Sequence, residues 1–367
     1  MKRIAIVVGT RPDVIKMSPV ARAMRGADGM DIRVIGTGQH REMMAQAAEA
    51  TGTRIDRDLD LMRQDQTLVG LTSRILEAIT AEYLEWQPDI VLVQGDTTTA
   101  FTSALAAFYL QIPIGHVEAG LRTWNMRQPF PEEASRKLIA PLASLNFAPT
   151  EQCRRNLLAE GITEDTIHVT GNTVVDALLW ASHDPRSAEV DTQSRTILVT
   201  AHRRESWDSG IEQICLALRD IVDRLSDMRI TFPVHPNPRV KNVVERILGD
   251  HNRVALIDPP DYYAMIGLLR GCTLVMTDSG GLQEEAPTFG KPLIVMRETT
   301  ERPEGVAAGV AKLVGADRAK LVAAAVELLT DTAAYERMAK ATNPYGDGHA
   351  AERITHAVRE FLEMARA

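Results

Sequence analysis

The sequence has little cysteine, no surplus of positive charge and no long apolar run, and each shortage excludes a class of protein. Its three cysteines, Cys153, Cys215 and Cys272, lie far apart and form no C-x-x-C pair. This usage is typical of a reducing cytosol and predicts neither a disulfide framework nor a zinc site. The formal net charge is −8, so no nucleic-acid partner is expected for the surface as a whole.

Membrane and common cofactor motifs are also missing. No apolar stretch approaches the roughly 18 residues of a membrane span. The run "RIAIVV" (3–8) stops at Gly9, so we interpret it as a buried first strand rather than a signal peptide and expect a cytoplasmic protein with no membrane partner. "GTGQHR" (36–41) lacks the third glycine of a dinucleotide fingerprint, and no P-loop is present. We therefore expect no metal and no cofactor.

What the chain does contain is a regular alternation of short apolar runs and helical segments. A length of 367 residues exceeds what one hydrophobic core usually serves. Apolar runs separated by helices indicate buried parallel strands in α/β layers. The strands are predicted in two series, 3–8, 32–37, 90–94, 112–117 and 145–149, then 196–201, 230–235, 254–258, 274–277 and 292–296.

Two series of this kind predict two doubly wound, Rossmann-like α/β domains that face each other across a cleft. We predict an N-terminal domain over 1–170 and a second domain over 171–349. The amphipathic segment 350–367 is predicted to pack back on the first domain. No internal repeat or low-complexity tract is present.

Charged and polar residues follow most of the predicted strands, where ligands bind in parallel α/β domains. Together they indicate a binding site rather than a solvated surface. They are Arg11, Asp13, Lys16, Gln39, His40, Arg41, Asp96, Glu118, Arg122, His202, His235 and the segment 278–287.

Two further stretches suggest chemistry but have simpler interpretations. "QPFPEEASR" (128–136) places Glu132 and Glu133 in a first helical turn with Arg136 one turn on, which is typical of an ordinary helix start. "TDSGGLQEEAP" (277–287) joins a strand to a helix through small residues, as phosphate-binding turns do, although a capped helix fits too. Glu284 or Glu285 is placed to accept hydrogen bonds from ribose hydroxyls.

Three carboxylates, Asp96, Glu118 and Glu132, form the candidate acid–base set. Held close together they would repel one another, which raises the pKa of at least one and leaves an acid beside a base. Asp96 has an equally good interpretation as the N-cap of the helix that follows it.

With these residues identified, the sequence resembles the bacterial non-hydrolysing UDP-N-acetylglucosamine 2-epimerase family along essentially its whole length. The resemblance implies the GT-B arrangement, a homodimer, and inversion at C2 of the sugar without metal or nicotinamide. It also implies elimination of UDP to 2-acetamidoglucal followed by readdition, in a pathway to a cell-surface polysaccharide. The motifs that carry it, in the family's order, are "GTRPDVIKMSPV", "QHREM", "GDTTTA", "GHVEAGLRT", "PFPEEASR", "GNTVVDAL", "AHRRES", "PVHPNP", "DSGGLQEEAP", "TTERPEG" and "NPYGDG".

The resemblance also implies roles for individual residues. Glu133 is expected to serve only the helix start. Those implied as catalytic are Asp96, Glu118, Glu132 and His202. Those implied to bind substrate are Arg11, Lys16, Arg136, His235, Ser279, Gly280, Gly281, Glu285 and Arg302. Gln39, His40, Arg41 and Gln66 match part of an activator site.

Three positions depart from the family pattern. Asp13 replaces a common glutamate, Trp124 replaces a glycine, and Asp65 stands where some members have a basic residue. Other activities that share the fold are a UDP-sugar glycosyltransferase, a hydrolysing epimerase that releases N-acetylmannosamine, and an epimerase of a 3-acetamido uronic acid. A catalytically idle nucleotide-sugar sensor is disfavoured because all three carboxylates are present.

Overall fold

The computed structural model describes residues 1–38, 41–63, 66–188, 195–201 and 209–364, and only the backbone of Arg41, Glu42 and Ser209. The chain divides into two compact units. The first comprises Met1–Ala177 with Tyr345–Ala367, and the second comprises Leu178–Pro344.

The sheet of the first unit has seven strands within the described residues, and every pairing is parallel. Its strand order is β3-β2-β1-β4-β5-β6-β7. The strands are β1 (Lys2–Val8), β2 (Met30–Gly36), β3 (Arg57–Asp58), β4 (Ile90–Gln94), β5 (Ile114–Val117), β6 (Leu145–Ala148) and β7 (Ile167–Val169).

Helices follow the strands of this unit and cover both faces of its sheet. In chain order they are α1 (Arg11–Arg25), α2 (Arg41–Thr51), α3 (Leu68–Trp86), α4 (Thr98–Tyr109), α5 (Glu132–Ile139), α6 (Glu151–Ala159) and α7 (Thr173–Ser182). The boundary between the units falls within α7. A final helix, which becomes α15 in chain order, belongs to the first unit and packs against α1.

The second unit repeats this plan with six parallel strands in the order β10-β9-β8-β11-β12-β13. Its strands are β8 (Arg195–Thr200), β9 (Met228–Pro233), β10 (Val254–Ile257), β11 (Leu274–Thr277), β12 (Leu293–Val295) and β13 (Ala311–Leu313). The remaining helices are α8 (Ser209–Arg224), α9 (Pro238–Leu248), α10 (Tyr262–Gly271), α11 (Gly280–Glu285), α12 (Pro303–Ala307), α13 (Arg318–Thr330), α14 (Thr332–Ala339) and α15 (Ala350–Met364).

The strand orders confirm the prediction of two Rossmann-like doubly wound domains. In each sheet the order reverses between two neighbouring strands, β1 and β4 in the first unit and β8 and β11 in the second. Ligands of such sheets bind beyond the carboxyl ends of the strands at this reversal. Arg11 and Asp96 follow β1 and β4, and Ser279 follows β11.

Each unit has its own apolar core. In the first, side chains such as Val7, Ile75 and Val93 from β1, α3 and β4 are fully buried together. In the second, Val199 and Phe232 contribute to the equivalent cluster. Burying each such side chain stabilises the folded state by about 1.5–3 kcal/mol. The packed cores therefore hold the strands, and the polar residues at their ends, in fixed positions.

Candidate active site

Glu118 follows β5 in the first unit, and its carboxylate is held on both oxygens. Lys16 forms an ion pair with Oε1, and Asn172 Nδ2 donates to the same oxygen at 3.0 Å. Gln94 Nε2 donates to Oε2 at 2.5 Å. Because all three groups are donors, they suit a charged carboxylate. The backbone φ of Glu118 is 66°, a left-handed conformation that is uncommon outside glycine and often found at functional sites.

Asp96 follows β4 and is paired with Arg136. The Arg136 Nε and Nη2 atoms lie 2.7 and 2.6 Å from Asp96 Oδ2, and Nη1 donates to Glu133 Oε2 at 3.1 Å. Burial alone lowers the pKa of Arg136, but the two carboxylates outweigh it and raise that pKa. Thr97, not Asp96, is the N-cap of α4, because its hydroxyl accepts the Ala100 N–H at 3.1 Å. The N-cap interpretation of Asp96 is therefore wrong.

Lys16 and Arg136 change the expected electrostatics of the carboxylates. Two of the three predicted catalytic carboxylates, Asp96 and Glu118, each have a cation in direct contact. Attraction to these cations offsets the repulsion that was expected among the carboxylates. Lys16 and Arg136, both predicted to bind substrate, thus each contact a predicted catalytic carboxylate in the first unit, as two separate pairs.

Glu133 does more than open α5, so that expectation is wrong. The residue is fully buried, and its two carboxylate oxygens accept the backbone N–H groups of Thr123 and Trp124, each at 3.0 Å. It therefore anchors the loop that precedes the helix. Trp124, the departure from the family pattern, has a φ of 62° and an exposed ring, with Lys137 Nζ 5.0 Å from the ring centroid.

Glu132 and Arg11 differ from these buried, paired groups. Each is the first residue of a helix, α5 and α1 respectively, and each is half-buried. Neither side chain forms a hydrogen bond or ion pair with the part of the chain that the structure describes. Arg11 follows the end of β1, where ligands of parallel α/β sheets bind, and both charged side chains are available to contact a ligand.

His116 on β5 lies two residues before Glu118 and contacts the backbone of the residue before Asp96. It is fully buried, and its Nε2 lies 2.7 Å from the carbonyl oxygen of Gly95, the residue before Asp96. Burial lowers its pKa to about 4, with Arg122 acting in the same direction and Asp96 and Glu118 acting against it. The imidazole is therefore neutral at physiological pH, with Nε2–H donating to Gly95, and it holds the Asp96 turn against β5.

In the second unit the strand-to-helix turn predicted for phosphate binding is present. β11 ends at Thr277, Ser279 is the N-cap of α11, and Gly280 and Gly281 form its first turn. The Ser279 N–H donates to Thr277 Oγ1 at 2.9 Å, whereas the Ser279 hydroxyl makes no capping hydrogen bond. The turn has no large side chain and the Ser279 hydroxyl is not used as a cap, which suits the approach of an anion to the backbone.

Arg302 is held beside this turn by Glu284. Its Nε donates to Glu284 Oε1 at 2.6 Å, and its backbone N–H donates to Thr300 Oγ1 at 3.1 Å. Glu284 is almost fully buried, whereas Glu285 is half-buried. Of the two glutamates considered for a ribose, Glu284 is engaged with Arg302, and contact of Glu285 with a ribose stays a prediction.

The two histidines of the predicted site differ in how much the structure shows of them. His235 follows β9 and is half-buried, and its Nδ1 accepts the Asn237 N–H at 3.1 Å. Since a backbone N–H can only donate, the neutral ring carries its proton on Nε2. His202 lies outside the described residues, so its catalytic role stays a prediction.

Most of the predicted activator site also lies outside the described residues. This applies to Gln39, His40 and the side chain of Arg41. Gln66 is described, and its Oε1 accepts a hydrogen bond from Arg74 Nη2 at 2.6 Å. An activator role for these four residues therefore stays a prediction.

Sequence reasoning missed Gln94, His116 and Asn172, and it gave Glu133 only the role of a helix start. Gln94 is the one polar residue of "IVLVQ", at the end of that strand, which could have marked it as facing the site. Asn172 lies in "GNTVVDAL", a motif to which no chemical role was given. For His116 the sequence carries no signal beyond its place in an apolar strand.

Within the described residues the structure has neither a membrane-spanning helix nor a cluster of metal ligands. No helix among these residues is long and apolar enough to cross a membrane. No group of three His, Cys, Asp or Glu side chains among them is arranged to hold a metal ion.

Comparison with known proteins identifies the family. The family described as UDP-N-acetylglucosamine 2-epimerase matches residues 22–359. The chain is 48% identical to the UDP-N-acetylglucosamine 2-epimerase of Yersinia pestis, over 97% of this chain and 98% of that protein. The enzyme of the same name from Escherichia coli (strain K12) is 46% identical over the same shares of the two chains.

A solved structure supports the same family assignment as the family match and the two relatives. The UDP-GlcNAc 2-epimerase from Neisseria meningitidis bound to UDP-GlcNAc is 40% identical, with a TM-score of 0.88 over 98% of this chain and 100% of that one. The resemblance seen in the motifs is thereby confirmed: the chain belongs to the UDP-N-acetylglucosamine 2-epimerase family.

Proposed function

We propose that the protein interconverts UDP-N-acetylglucosamine and UDP-N-acetylmannosamine as a non-hydrolysing 2-epimerase. The observation that carries this proposal is the Glu118 carboxylate, which three donors fix at a strand end beside Lys16. A carboxylate with a fixed direction suits chemistry at one carbon of a bound sugar.

The proposed reaction proceeds by elimination and readdition. The C1–O bond to UDP breaks with its electron pair while the proton on C2 is lost to a base, which leaves the C1=C2 double bond of 2-acetamidoglucal. A proton then returns to the opposite face of C2, and UDP adds back to C1. Net charge and atoms are conserved, and neither oxidant nor water is consumed.

The three carboxylates differ in ways that suit this scheme. Glu132 has no partner among the described residues, so its oxygens are available to a substrate proton. Glu118 and Asp96 are held by Lys16 and Arg136, and their negative charge suits the positive character that develops at C1 as UDP leaves. We propose these three and His202 as the catalytic residues.

Binding of UDP is proposed to rest mainly on the second unit. The small-residue turn Ser279–Gly281 and the ordered guanidinium of Arg302 suit the diphosphate, and Glu285 suits the ribose. His235 is a further proposed contact there. From the first unit, Arg11, Lys16 and Arg136 are proposed to contribute positive charge toward the UDP-sugar.

Proton NMR in D2O tests the reaction itself. UDP-N-acetylglucosamine alone is expected to give a mixture of two UDP-sugars, both with deuterium at C2, because the proton on C2 exchanges with solvent during elimination. A mixture without deuterium would contradict elimination and readdition. Release of free N-acetylmannosamine would assign the hydrolysing reaction instead.

Glu118→Gln and Glu132→Gln test the residues. Each is expected to lose deuterium incorporation by roughly 10²–10⁴-fold, the usual contribution of a general acid or base, because glutamine keeps the size of glutamate but cannot take a proton. Glu151→Gln is the matched control, since Glu151 is also the first residue of a helix in the first unit. Equal losses in all three variants would refute the assignment.

The assembly, the location and the pathway of the protein are proposals that rest mainly on the resemblance. A homodimer, the cytoplasm and supply of a cell-surface polysaccharide pathway therefore stay predictions. Neighbouring helices α3 and α4 expose the large apolar side chains Val69, Leu84, Phe108 and Tyr109, which suit a dimer contact.

A further inference from the structure

Asn172 is a buried residue that contacts the proposed catalytic machinery from a distant part of the chain. It is 2% exposed, and its Nδ2 donates to Glu118 Oε1 at 3.0 Å across 54 residues of sequence. Its Oδ1 accepts the Val174 N–H at 3.1 Å, at the start of α7. Because a backbone N–H can only donate, this second bond fixes the amide so that its NH2 group faces Glu118.

The backbone of Asn172 is fixed as well. Its N–H donates to the carbonyl oxygen of Tyr345 at 2.7 Å, and Tyr345 is the residue at which the chain returns to the first unit. Gly171 and Gly346 flank this contact with φ angles of 87° and 138°. A Cβ on Gly171 would lie 3.3 Å from Gly346 Cα, and one on Gly346 would lie 3.4 Å from Asn172 N, so the two backbones touch.

We infer that Asn172 is a positioning residue that aims the Glu118 carboxylate, and that the backbone contact with Tyr345 holds Asn172 in place to do so. The inference rests on the proposed function, because it needs Glu118 to act on the sugar. It gives the motif "GNTVVDAL" a chemical purpose: the glycine permits the close backbone contact, and the asparagine both caps α7 and orients a carboxylate.

Capping of α7 alone does not explain why the residue at position 172 is an asparagine. Serine, threonine or aspartate would accept the Val174 N–H as well as asparagine does. Only asparagine among the good N-cap residues combines an acceptor for the helix with an NH2 donor for a carboxylate. Because Glu118 has a left-handed backbone conformation, it depends on such side-chain contacts to keep its direction.

Two variants separate capping from positioning. Asn172→Ser and Asn172→Asp both keep an oxygen that can cap α7, but neither offers an NH2 group to Glu118, and the aspartate adds a like charge. We expect kcat to fall about 10-fold in Asn172→Ser and about 100-fold in Asn172→Asp, as for loss of a hydrogen bond to a charged group. KM and the affinity for UDP should change by less than about twofold, since the ground state is bound elsewhere.

The control and a double-mutant cycle exclude a general loss of structure. Asn242→Asp makes the same change of amide to carboxylate at an exposed position on α9 in the second unit. It should keep the wild-type kcat. In a Glu118→Gln background, Asn172→Ser should lower the residual rate by less than about twofold, because its partner carboxylate is already gone.

The outcomes distinguish this inference from the proposed function. If the wild-type protein gives no deuterium at C2 of UDP-N-acetylglucosamine, the proposed function fails, and the inference fails with it. If the wild type is active and Asn172→Ser keeps its kcat, only the inference fails. A loss that persists undiminished in the Glu118→Gln background would also overturn it, since Asn172 would then act by another route.

Discussion

Asp13 is a buried carboxylate at the start of α1, and its environment contributes to the pH dependence of the free energy of unfolding. Its Oδ2 accepts the Gly9 and Thr10 N–H groups at 2.9 and 3.1 Å, and Oδ1 accepts the Thr10 hydroxyl at 2.7 Å. Burial raises its pKa to about 6, against the lowering effect of these hydrogen bonds. Asp96 adds to the rise, because a second negative charge disfavours ionisation.

This raised pKa predicts a loss of stability as pH increases from 4 to 6. Below pH 4 Asp13 is protonated in both the folded and the unfolded state. Between about 4 and 6 the folded state holds the proton and the unfolded state releases it, so the free energy of unfolding falls by up to about 3 kcal/mol and is then constant. Asp13→Asn should lack this fall, since its amide can satisfy the same groups without titrating.

Urea unfolding at pH 4, 5, 6 and 7 gives the free energy of unfolding of the wild type and of Asp13→Asn. The effect of Asp13 is the wild-type value minus the variant value at each pH. The contribution of His116 to the pH dependence cancels in this difference. Because burial lowers the pKa of His116 to about 4, the stability from its neutral ring is lost as pH falls from 6.5 toward 4, which is opposite to the effect of Asp13. A difference that does not change between pH 4 and 7 would show that Asp13 has an ordinary pKa.

At the level of elements, the C-terminal helix is held by a carboxylate from a distant part of the chain. Asp176 on α7 accepts the Ala350 and Ala351 N–H groups at 3.2 and 2.8 Å, at the start of α15. These are donors that a helix cannot satisfy by itself. Asp176 is 7% exposed, so water cannot easily replace it.

Asp176→Ala is therefore expected to loosen α15. Losing the cap should cost about 1–3 kcal/mol, and hydrogen exchange of the amides in Ala350–Met364 should become faster than in the wild type. Asp331→Ala is the matched control, because Asp331 caps α14 through the Ala333 and Ala334 N–H groups and belongs to the second unit. Unchanged exchange of α15 in Asp176→Ala would refute this role.

The strands show which elements a sequence can predict. Ten strands were predicted and are present, and β4 and β11 match to the residue. The strands that were missed, β3, β7 and β13, all lie at sheet edges. An edge strand is short and partly exposed, so it lacks the continuous apolar run that reveals a buried parallel strand.

For the whole molecule, the polar residues after the strands were predictable, but their partners were not. Arg11, Asp96, Glu118 and Ser279 follow from the rule that ligands bind at carboxyl strand ends. Glu133 looked like a helix start because its local sequence is one, and only the fold brings the Thr123 and Trp124 N–H groups to it. Asn172 and Glu118 are 54 residues apart, so no local pattern connects them.

If Glu118 acts on the sugar and Arg302 binds the diphosphate, variants at these two positions should differ in how much UDP stabilises the folded protein. A ligand that binds only the folded state stabilises it by RT ln(1 + [L]/Kd), about 2.7 kcal/mol at 100 times Kd. Glu118→Gln should keep this stabilisation, because Glu118 is assigned to the sugar. Arg302→Ala should lose most of it, because the guanidinium that Glu284 orients is assigned to the diphosphate.

Removing Arg302 also leaves the buried Glu284 carboxylate without its ion pair, so the variant will melt at a lower temperature even without UDP. The quantity that tests the assignment is therefore the rise in Tm on adding UDP, taken for each protein relative to its own ligand-free Tm. Arg318→Ala, which breaks only an exposed ion pair with Asp220, should show the full wild-type rise. If Arg302→Ala showed it as well while Glu118→Gln did not, UDP would depend on the first unit rather than the second.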